Sequence, residues 1–299
     1  MRFELDDDQR DFAASLERLL AGADTVKVAR AWAEGDHAPG RALWQRLTEQ
    51  GLLQLALDAT PVELCIAFEA LGRHAVPGPW VESAAYLPVA TGAEVEGIAT
   101  LALPPLVPRA LDADVADVVH LGAQPVAAEA VGALQVSVDR TRRLFDVAGP
   151  TPDVHEQALD LAVLATAAQL LGAGERVLAD SVSYVAQRTQ FGRPIGSYQA
   201  IKHALADVRI ALDFTRPLVQ GAALDPTRRA TAAAKVAASD AAYLAARTGL
   251  QVHGAIGYTA EFDLSLWLTK IRALVGAWGT PAHHRAVLRE DLLAHGAWA

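Results

Sequence analysis

The chain has 299 residues, enough for one large domain or two ordinary ones. It is 52% hydrophobic and 20% charged, and its 26 basic against 35 acidic residues give a net charge of −9. A surface of that sign repels phosphate backbones, so we expect no nucleic-acid partner. A single cysteine excludes an internal disulfide and a cysteine-rich zinc site, and we expect no metal.

Residues 1–90 carry a helical pattern and predict an N-terminal helical domain. The stretch DDDQRDFAASLERLL has aspartates that suit a helix N-terminus, followed by apolar residues on one face. These apolar residues are Phe12, Leu16, Leu19 and Leu20. ALWQRLTEQGLLQLAL predicts a helix closed by Gly51, and PVELCIAFEALGRH predicts a helix from Pro61 to Gly72. The N-terminal stretch lacks the pattern of a signal peptide, and no run of 18 apolar residues indicates a membrane span, so we expect a cytoplasmic protein.

Residues 91–150 change in character and predict a small β domain. The segments IATLALPPLVP, ADVVHLGAQPV and ALQVSVDRTRRLFDV are short, rich in Val and Leu, and interrupted by Pro and Gly. Such segments are typical of strands and turns. We expect a small sheet or a partial barrel.

Residues 151–299 return to a helical pattern and predict a C-terminal four-helix bundle. The long apolar stretch from Asp153 to Arg188 is typical of a helix at the centre of a bundle. After the loop QFGRPIG, a second helix contains Pro217, which should kink it. An alanine-rich helix and two shorter helices, FDLSLWLTKIRALV and PAHHRAVLREDLLAH, complete the chain.

The stretch QRTQFGRPIGSYQAIKHALADV, Gln187 to Val208, suggests an anion-binding loop. Arg188 ends the long helix and Gly192 breaks it, which leaves a guanidinium beside a tight loop. An arginine held in this way is suited to bidentate binding of a phosphate. The alternative is that Arg188 only pairs with the C-terminal dipole of its helix.

The same stretch resembles the signature of the acyl-CoA dehydrogenases at nearly every position, and LQVHGAIGYTAEFDLSLWLTKIRAL resembles their second signature somewhat less closely. The resemblance implies a mainly α fold: an N-terminal helical domain, a reduced β middle domain and a C-terminal four-helix bundle. It also implies contacts to FAD, most of them to the cofactor of a neighbouring subunit. The residues that match cofactor-binding positions are Arg188, Gln190, Phe191, Tyr198, Gln199, Gln251 and Gly254.

The family's catalytic glutamate has no counterpart in this sequence. Most members carry it in a Tyr-Glu-Gly-Thr motif, and the matching residues here are AWGT, with Trp278 at the position of the base. An indole cannot accept a proton. Other members place the base near the start of the long bundle helix, and the matching residue here is Ala162. The nearby Glu156 and Asp160 lie at other phases of that helix and are typical of solvated carboxylates in a first turn.

The stretches with which full-length members cradle their own flavin are also missing between Val81 and Gly149. The sequence therefore resembles most closely the short, non-catalytic subunit of actinobacterial α2β2 acyl-CoA dehydrogenases that act on bulky steroid side-chain thioesters. In this interpretation a full-length partner holds most of the acyl-CoA and supplies the base, and FAD is shared. Two alternatives stay open: a flavin-free scaffold that has lost catalysis, and an enzyme that uses FAD for another oxidation without a partner.

Overall fold

The computed structural model describes residues 3–294 of the chain. Two groups of helices flank a zone of small sheets, which confirms the predicted mainly α architecture with a helical bundle at its C-terminal end. The helices are α1 (Asp7–Ala21), α2 (Thr25–Glu34), α3 (Ala38–Glu49), α4 (Leu55–Asp58), α5 (Pro61–Arg73), α6 (Leu87–Thr91), α7 (Glu156–Gln187), α8 (Gln199–Leu224), α9 (Arg228–His253), α10 (Leu264–Gly276) and α11 (Pro281–Ala294). The strands are β1 (Ala99–Ala102), β2 (Ala110–Leu111), β3 (Val118–Leu121), β4 (Gln124–Pro125), β5 (Val131–Gln135), β6 (Leu144–Val147), β7 (Thr189–Gln190) and β8 (Arg193–Pro194). The last residue of the predicted C-terminal helix, His295, lies outside the described residues.

Capping residues fix where the N-terminal helices begin. Before α1, the Asp6 carboxylate accepts from the Gln9 backbone N–H at 2.8 Å, and the Gln9 side chain accepts from the Asp6 N–H at 3.1 Å. Thr60 and Glu63 form the same reciprocal pair before α5. Each pair satisfies two backbone donors that a helix start otherwise leaves unpaired. A single π-helical turn, Glu82–Tyr86, leads directly into α6.

Helices α5 and α7 pack so closely that their backbones touch through glycines. A Cβ atom added to Gly72 would lie 2.0 Å from the Gln169 carbonyl oxygen, and one added to Gly172 would lie 1.9 Å from that of Glu69. No side chain fits at either position. This contact joins the N-terminal helices to the bundle.

Helix α7 is the central helix of the molecule. By length and composition it could cross a membrane, but 94% of its most apolar 18-residue window is buried inside the protein, as expected for a core helix. Helix α9 packs against it, and a Cβ atom added to Gly174 of α7 would lie 3.3 Å from the Ala242 Cα of α9. These small residues let the two helices approach closely.

The middle zone contains two three-stranded sheets. In one, β1 pairs in parallel with β3, which pairs with β4; in the other, β6 lies between β2 and β5 in antiparallel order. A buried ion pair ties this zone to the bundle, since the Lys270 ammonium of α10 lies 3.2 Å from the Asp139 carboxylate and donates to the Thr141 hydroxyl at 2.9 Å. The loop after β5 is therefore held at a fixed place against α10.

Candidate functional site

The predicted anion-binding loop is a tight β-hairpin directly after α7. Arg188 caps the helix in an extended conformation, and β7 and β8 follow as the two arms of the hairpin. The two turn residues have positive φ, +51° at Phe191 and +78° at Gly192. Glycine adopts this conformation freely, whereas for phenylalanine it costs about 1–2 kcal/mol. The hairpin thereby holds the Phe191 ring 90% exposed at its tip.

The Arg188 guanidinium is exposed and available for a ligand. Within residues 3–294 its side chain makes no hydrogen bond or ion pair, and therefore does not bond to the last carbonyls of α7. The structure thus contains no contact for the purely structural role considered for this arginine. An unpaired guanidinium on a rigid hairpin can bind an anion without first breaking another contact.

The C-terminal end of α9 lies opposite the hairpin, across a groove. Gly254 caps this helix with φ +62° and ψ −138°, a conformation that is essentially restricted to glycine. The preceding His253 is buried, where its ring stacks on Tyr184 at 4.2 Å and its Nδ1 hydrogen-bonds to the Gly249 carbonyl at 2.7 Å. This packing fixes the backbone at Gly254.

Hairpin and helix end enclose a groove of about 810 Å³, which we call the Arg188 groove. Six of the seven predicted cofactor-binding residues line it: Arg188, Gln190, Phe191, Tyr198, Gln251 and Gly254. The seventh, Gln199, begins α8 and is exposed outside the groove lining. The Tyr198 ring packs under the Arg193 guanidinium at 4.1 Å. The fold thus brings together six residues that lie in two separate stretches of the sequence.

The chemistry of the Arg188 groove suits the binding of an anion. Its lining combines one guanidinium, two amides, aromatic rings, the buried His253 imidazole and glycine backbone, and none of its lining residues carries a carboxylate. Such a set fits the phosphates and the flat rings of a dinucleotide.

Trp278 is buried and does not line the Arg188 groove. Its side chain is 1% exposed, and its backbone has φ +55°. The buried Lys235 ammonium donates to the carbonyls of Leu274, Val275 and Gly279 at 3.1–3.3 Å, and burial lowers the pKa of this lysine to about 7. His284 Nε2 bonds to the Trp278 carbonyl at 2.9 Å, and burial, together with the charge of Lys235, lowers the His284 pKa to about 4. The hydrogen bonds from Lys235 and His284 thus hold the loop that carries Trp278 in place.

The other predicted position for a base is also without a carboxylate. Ala162 is fully buried in α7. Glu156 is exposed and pairs with Arg228 at 3.1 Å. Asp160 accepts from the Thr231 hydroxyl at 3.4 Å, and burial, with the charge of Glu156, raises its pKa to about 6.

Sequence reasoning missed Glu82, a residue that is 2% exposed and lines the same cavity as Trp278. Burial raises the Glu82 pKa above its ordinary value, while the charge of Arg142 and the side chain of Trp278 act in the opposite direction. A cavity of about 220 Å³ lies next to the two residues. The available signal was a lone glutamate in the apolar stretch WVESAAYLP.

Comparison with known proteins gives consistent similarities. A family model described as "Acyl-CoA dehydrogenase, C-terminal domain" matches residues 153–293. The chain is 33% identical to acyl-CoA dehydrogenase IpdE2 of Mycobacterium tuberculosis, over 94% of this chain and 94% of that protein.

Solved structures share the fold at low identity. The ChsE4-ChsE5 complex from Mycobacterium tuberculosis matches with a TM-score of 0.82 and 22% identity, covering 98% of this chain and 99% of that one. A Tcur3481-Tcur3483 steroid ACAD variant matches with a TM-score of 0.83 and 22% identity over the same shares. A glutaryl-CoA dehydrogenase from Mycobacterium smegmatis in complex with FADH2 matches with a TM-score of 0.82 and 16% identity, covering 99% of this chain and 97% of that one.

Proposed function

Because the chain belongs to the acyl-CoA dehydrogenase family, we propose that it is the non-catalytic subunit of a heteromeric FAD-dependent acyl-CoA dehydrogenase. A full-length partner subunit supplies the catalytic glutamate and the main flavin cradle and holds most of the acyl-CoA. This chain supplies contacts to the shared FAD across the interface. Two copies of each subunit form the assembly, and it acts in the cytoplasm.

The observation that carries the proposal is the Arg188 groove with its unpaired guanidinium. Arg188 would bind the pyrophosphate of FAD, while Gln190 and Phe191 approach the same cofactor from the hairpin tip. Gln251 and Gly254 would line it from the end of α9. When bound, FAD supplies the acceptor for the hydride that leaves the β-carbon of the acyl group.

The assignment of catalysis to the partner follows from the residues at the two base positions. Removal of the α-proton requires a carboxylate within hydrogen-bond reach of the α-carbon. Trp278 and Ala162 stand at the two positions from which family members deliver that carboxylate, and neither can accept a proton. This chain therefore contributes to binding and assembly, and the proton is taken by the partner.

We infer the substrate class from the relatives. The similarity to the ChsE4-ChsE5 complex supports a partner of the same fold, and the similarity to a steroid ACAD supports a bulky acyl-CoA, such as a steroid side-chain thioester. α,β-Desaturation of this thioester is the proposed reaction.

The first test compares the chain alone with the chain in its complex. We expect the isolated chain to be colourless and to show no acyl-CoA-dependent dye reduction, because neither of the family's two base positions carries a carboxylate and the sequence lacks the stretches that cradle a subunit's own flavin. Co-expressed with a neighbouring full-length homologue that carries Tyr-Glu-Gly-Thr, it should give a yellow, active complex. Turnover by the isolated chain would contradict the proposal, and an equally active partner without this chain would favour the scaffold alternative.

A further inference from the structure

The cavity beside Trp278 is a second site, open to solvent on one side and distinct from the Arg188 groove. It lies between the π-helical turn, two loops of the middle zone and the end of α10, and it has a volume of about 220 Å³. No residue lines both this cavity and the Arg188 groove. We call it the Glu82 cavity.

Glu82 gives this cavity a buried acceptor. Its side chain lines the cavity and is almost fully shielded from solvent. A carboxylate can accept about four hydrogen bonds. A buried carboxyl with unused acceptor capacity is costly for the fold unless a further donor reaches it.

Arg142 gives the cavity a cation, whose charge already acts on the Glu82 carboxyl. Two neighbouring arginines are already paired, Arg109 with Asp146 at 2.8 Å and Arg143 with Asp114. Arg142 is half-buried, lines the cavity, and has no ion pair within the part of the chain that the structure describes.

The loop that carries Arg142 is held in place before any ligand arrives. The ion pair between Asp139 and Lys270 anchors it to α10, and the Arg143 N–H donates to the buried Asp112 carboxylate at 3.0 Å. A guanidinium on an anchored loop loses little conformational freedom when it binds an anion.

Most of the remaining wall is apolar, although Arg109 and Ser137 also line it; the apolar side chains come from the middle-zone loops and from β2 and β6: Leu106, Val107, Leu111, Val138 and Leu144. We propose that the Glu82 cavity binds a small amphipathic organic anion, whose charged end pairs with Arg142, whose apolar body packs on this wall, and whose hydroxyl donates to Glu82. This site goes beyond the proposed function, since it involves neither the shared FAD nor the partner's base.

The experiment uses hexanoate and 6-hydroxyhexanoate as probes, titrated calorimetrically into the full-length chain. We expect saturable one-site binding of both, with the hydroxylated probe tighter. Arg142→Met should weaken both probes by about 10-fold or more, the loss expected for a charge-assisted contact. Arg140→Met is the matched control, because this exposed arginine lies two positions away and does not line the cavity, and it should leave both affinities unchanged.

Glu82→Gln tests the other end of the cavity. The amide keeps the shape of the side chain but presents a weaker acceptor to a hydroxyl. We expect the preference for 6-hydroxyhexanoate over hexanoate to shrink toward unity while hexanoate still binds. This ratio is measured within one variant, so a partial loss of folded protein does not affect it. Absence of saturable binding by either probe, equal affinities in the two arginine variants, or an unchanged preference in Glu82→Gln would each overturn the proposal.

Discussion

Arg188 is the single residue on which the proposed hold on FAD depends most directly. Its guanidinium lies on a hairpin that is fixed by positive-φ residues, and no described residue neutralises it. Arg188 therefore need not break an existing ion pair before it binds the phosphate.

Arg188→Ala in the complex tests this contact. Loss of a charge-assisted hydrogen bond should cost about 1.5–3 kcal/mol, which is roughly 10- to 150-fold in FAD affinity. Equilibrium dialysis of FAD against the intact heteromer measures it. Arg247→Ala, on the exposed side of α9 and outside the groove lining, serves as the control. An affinity unchanged within a factor of two would show that Arg188 does not bind the cofactor.

Trp278 is the residue at which restoring the family's glutamate should fail. In Trp278→Glu the new carboxyl would lie buried against the carboxyl of Glu82, and the two charges would raise each other's pKa. Together with the cavity left by the indole, this should destabilise the chain by a few kcal/mol.

The pH dependence of Trp278→Glu has a definite sign. A folded-state pKa above the unfolded value of about 4.3 means that the folded chain binds more protons, so the free energy of unfolding falls as pH rises. Thermal melts should therefore show that Trp278→Glu lowers the melting temperature, relative to the unmodified chain, by more at pH 8 than at pH 5. Trp278→Phe should lower it by a similar amount at both pH values. If the loss of melting temperature in Trp278→Glu does not depend on pH, the position is not buried as described. Dye reduction by this isolated variant would contradict the proposed lack of catalysis.

At the scale of elements, the contact between α5 and α7 decides how the N-terminal helices sit on the bundle. In an open helix Gly→Ala stabilises by about 1 kcal/mol, but at Gly172 the new methyl would meet a carbonyl oxygen at 1.9 Å. This clash outweighs the gain in helix propensity, so Gly→Ala is expected to destabilise the protein at Gly172.

Gly172→Ala should lower the free energy of unfolding by about 1–3 kcal/mol or more, as expected for overpacking. Gly276→Ala is the matched control, since a Cβ atom there meets nothing within 4 Å and should be neutral or stabilising. Urea unfolding followed by circular dichroism compares the two. Equal stabilities would mean that α5 and α7 do not touch at this point.

The sequence predicts the long elements well because their apolar periodicity and caps are local. Aspartates, Pro61 and Arg188 mark helix ends correctly, to within a residue or two. Strand β2 was missed because two residues carry no periodicity. The same limit applies to sites: the motif around Arg188 is contiguous, whereas Glu82 and Arg142 meet only through the tertiary fold. The division into three domains at residues 90 and 150 stays a prediction.

At the scale of the whole molecule, charged side chains connect parts of the chain that are distant in sequence. Arg216 of α8 forms a fork to Glu69 of α5 at 2.8 Å and also contacts Glu175 of α7 at 3.0 Å. The buried pair of Lys270 and Asp139 joins the sheets to the bundle. The small middle zone is thus a firmly attached part of the molecule, which suits a subunit that presents a fixed surface to a partner.

The FAD content of the purified heteromer tests the central claim most directly. In the proposed function the full-length partner holds the cofactor, and this chain contributes only contacts that reach it across the interface. We therefore predict one FAD per heterodimer, measured by flavin absorbance after denaturation against subunit concentrations from amino-acid analysis. Two FAD per heterodimer, or stoichiometric FAD on this chain alone, would contradict it.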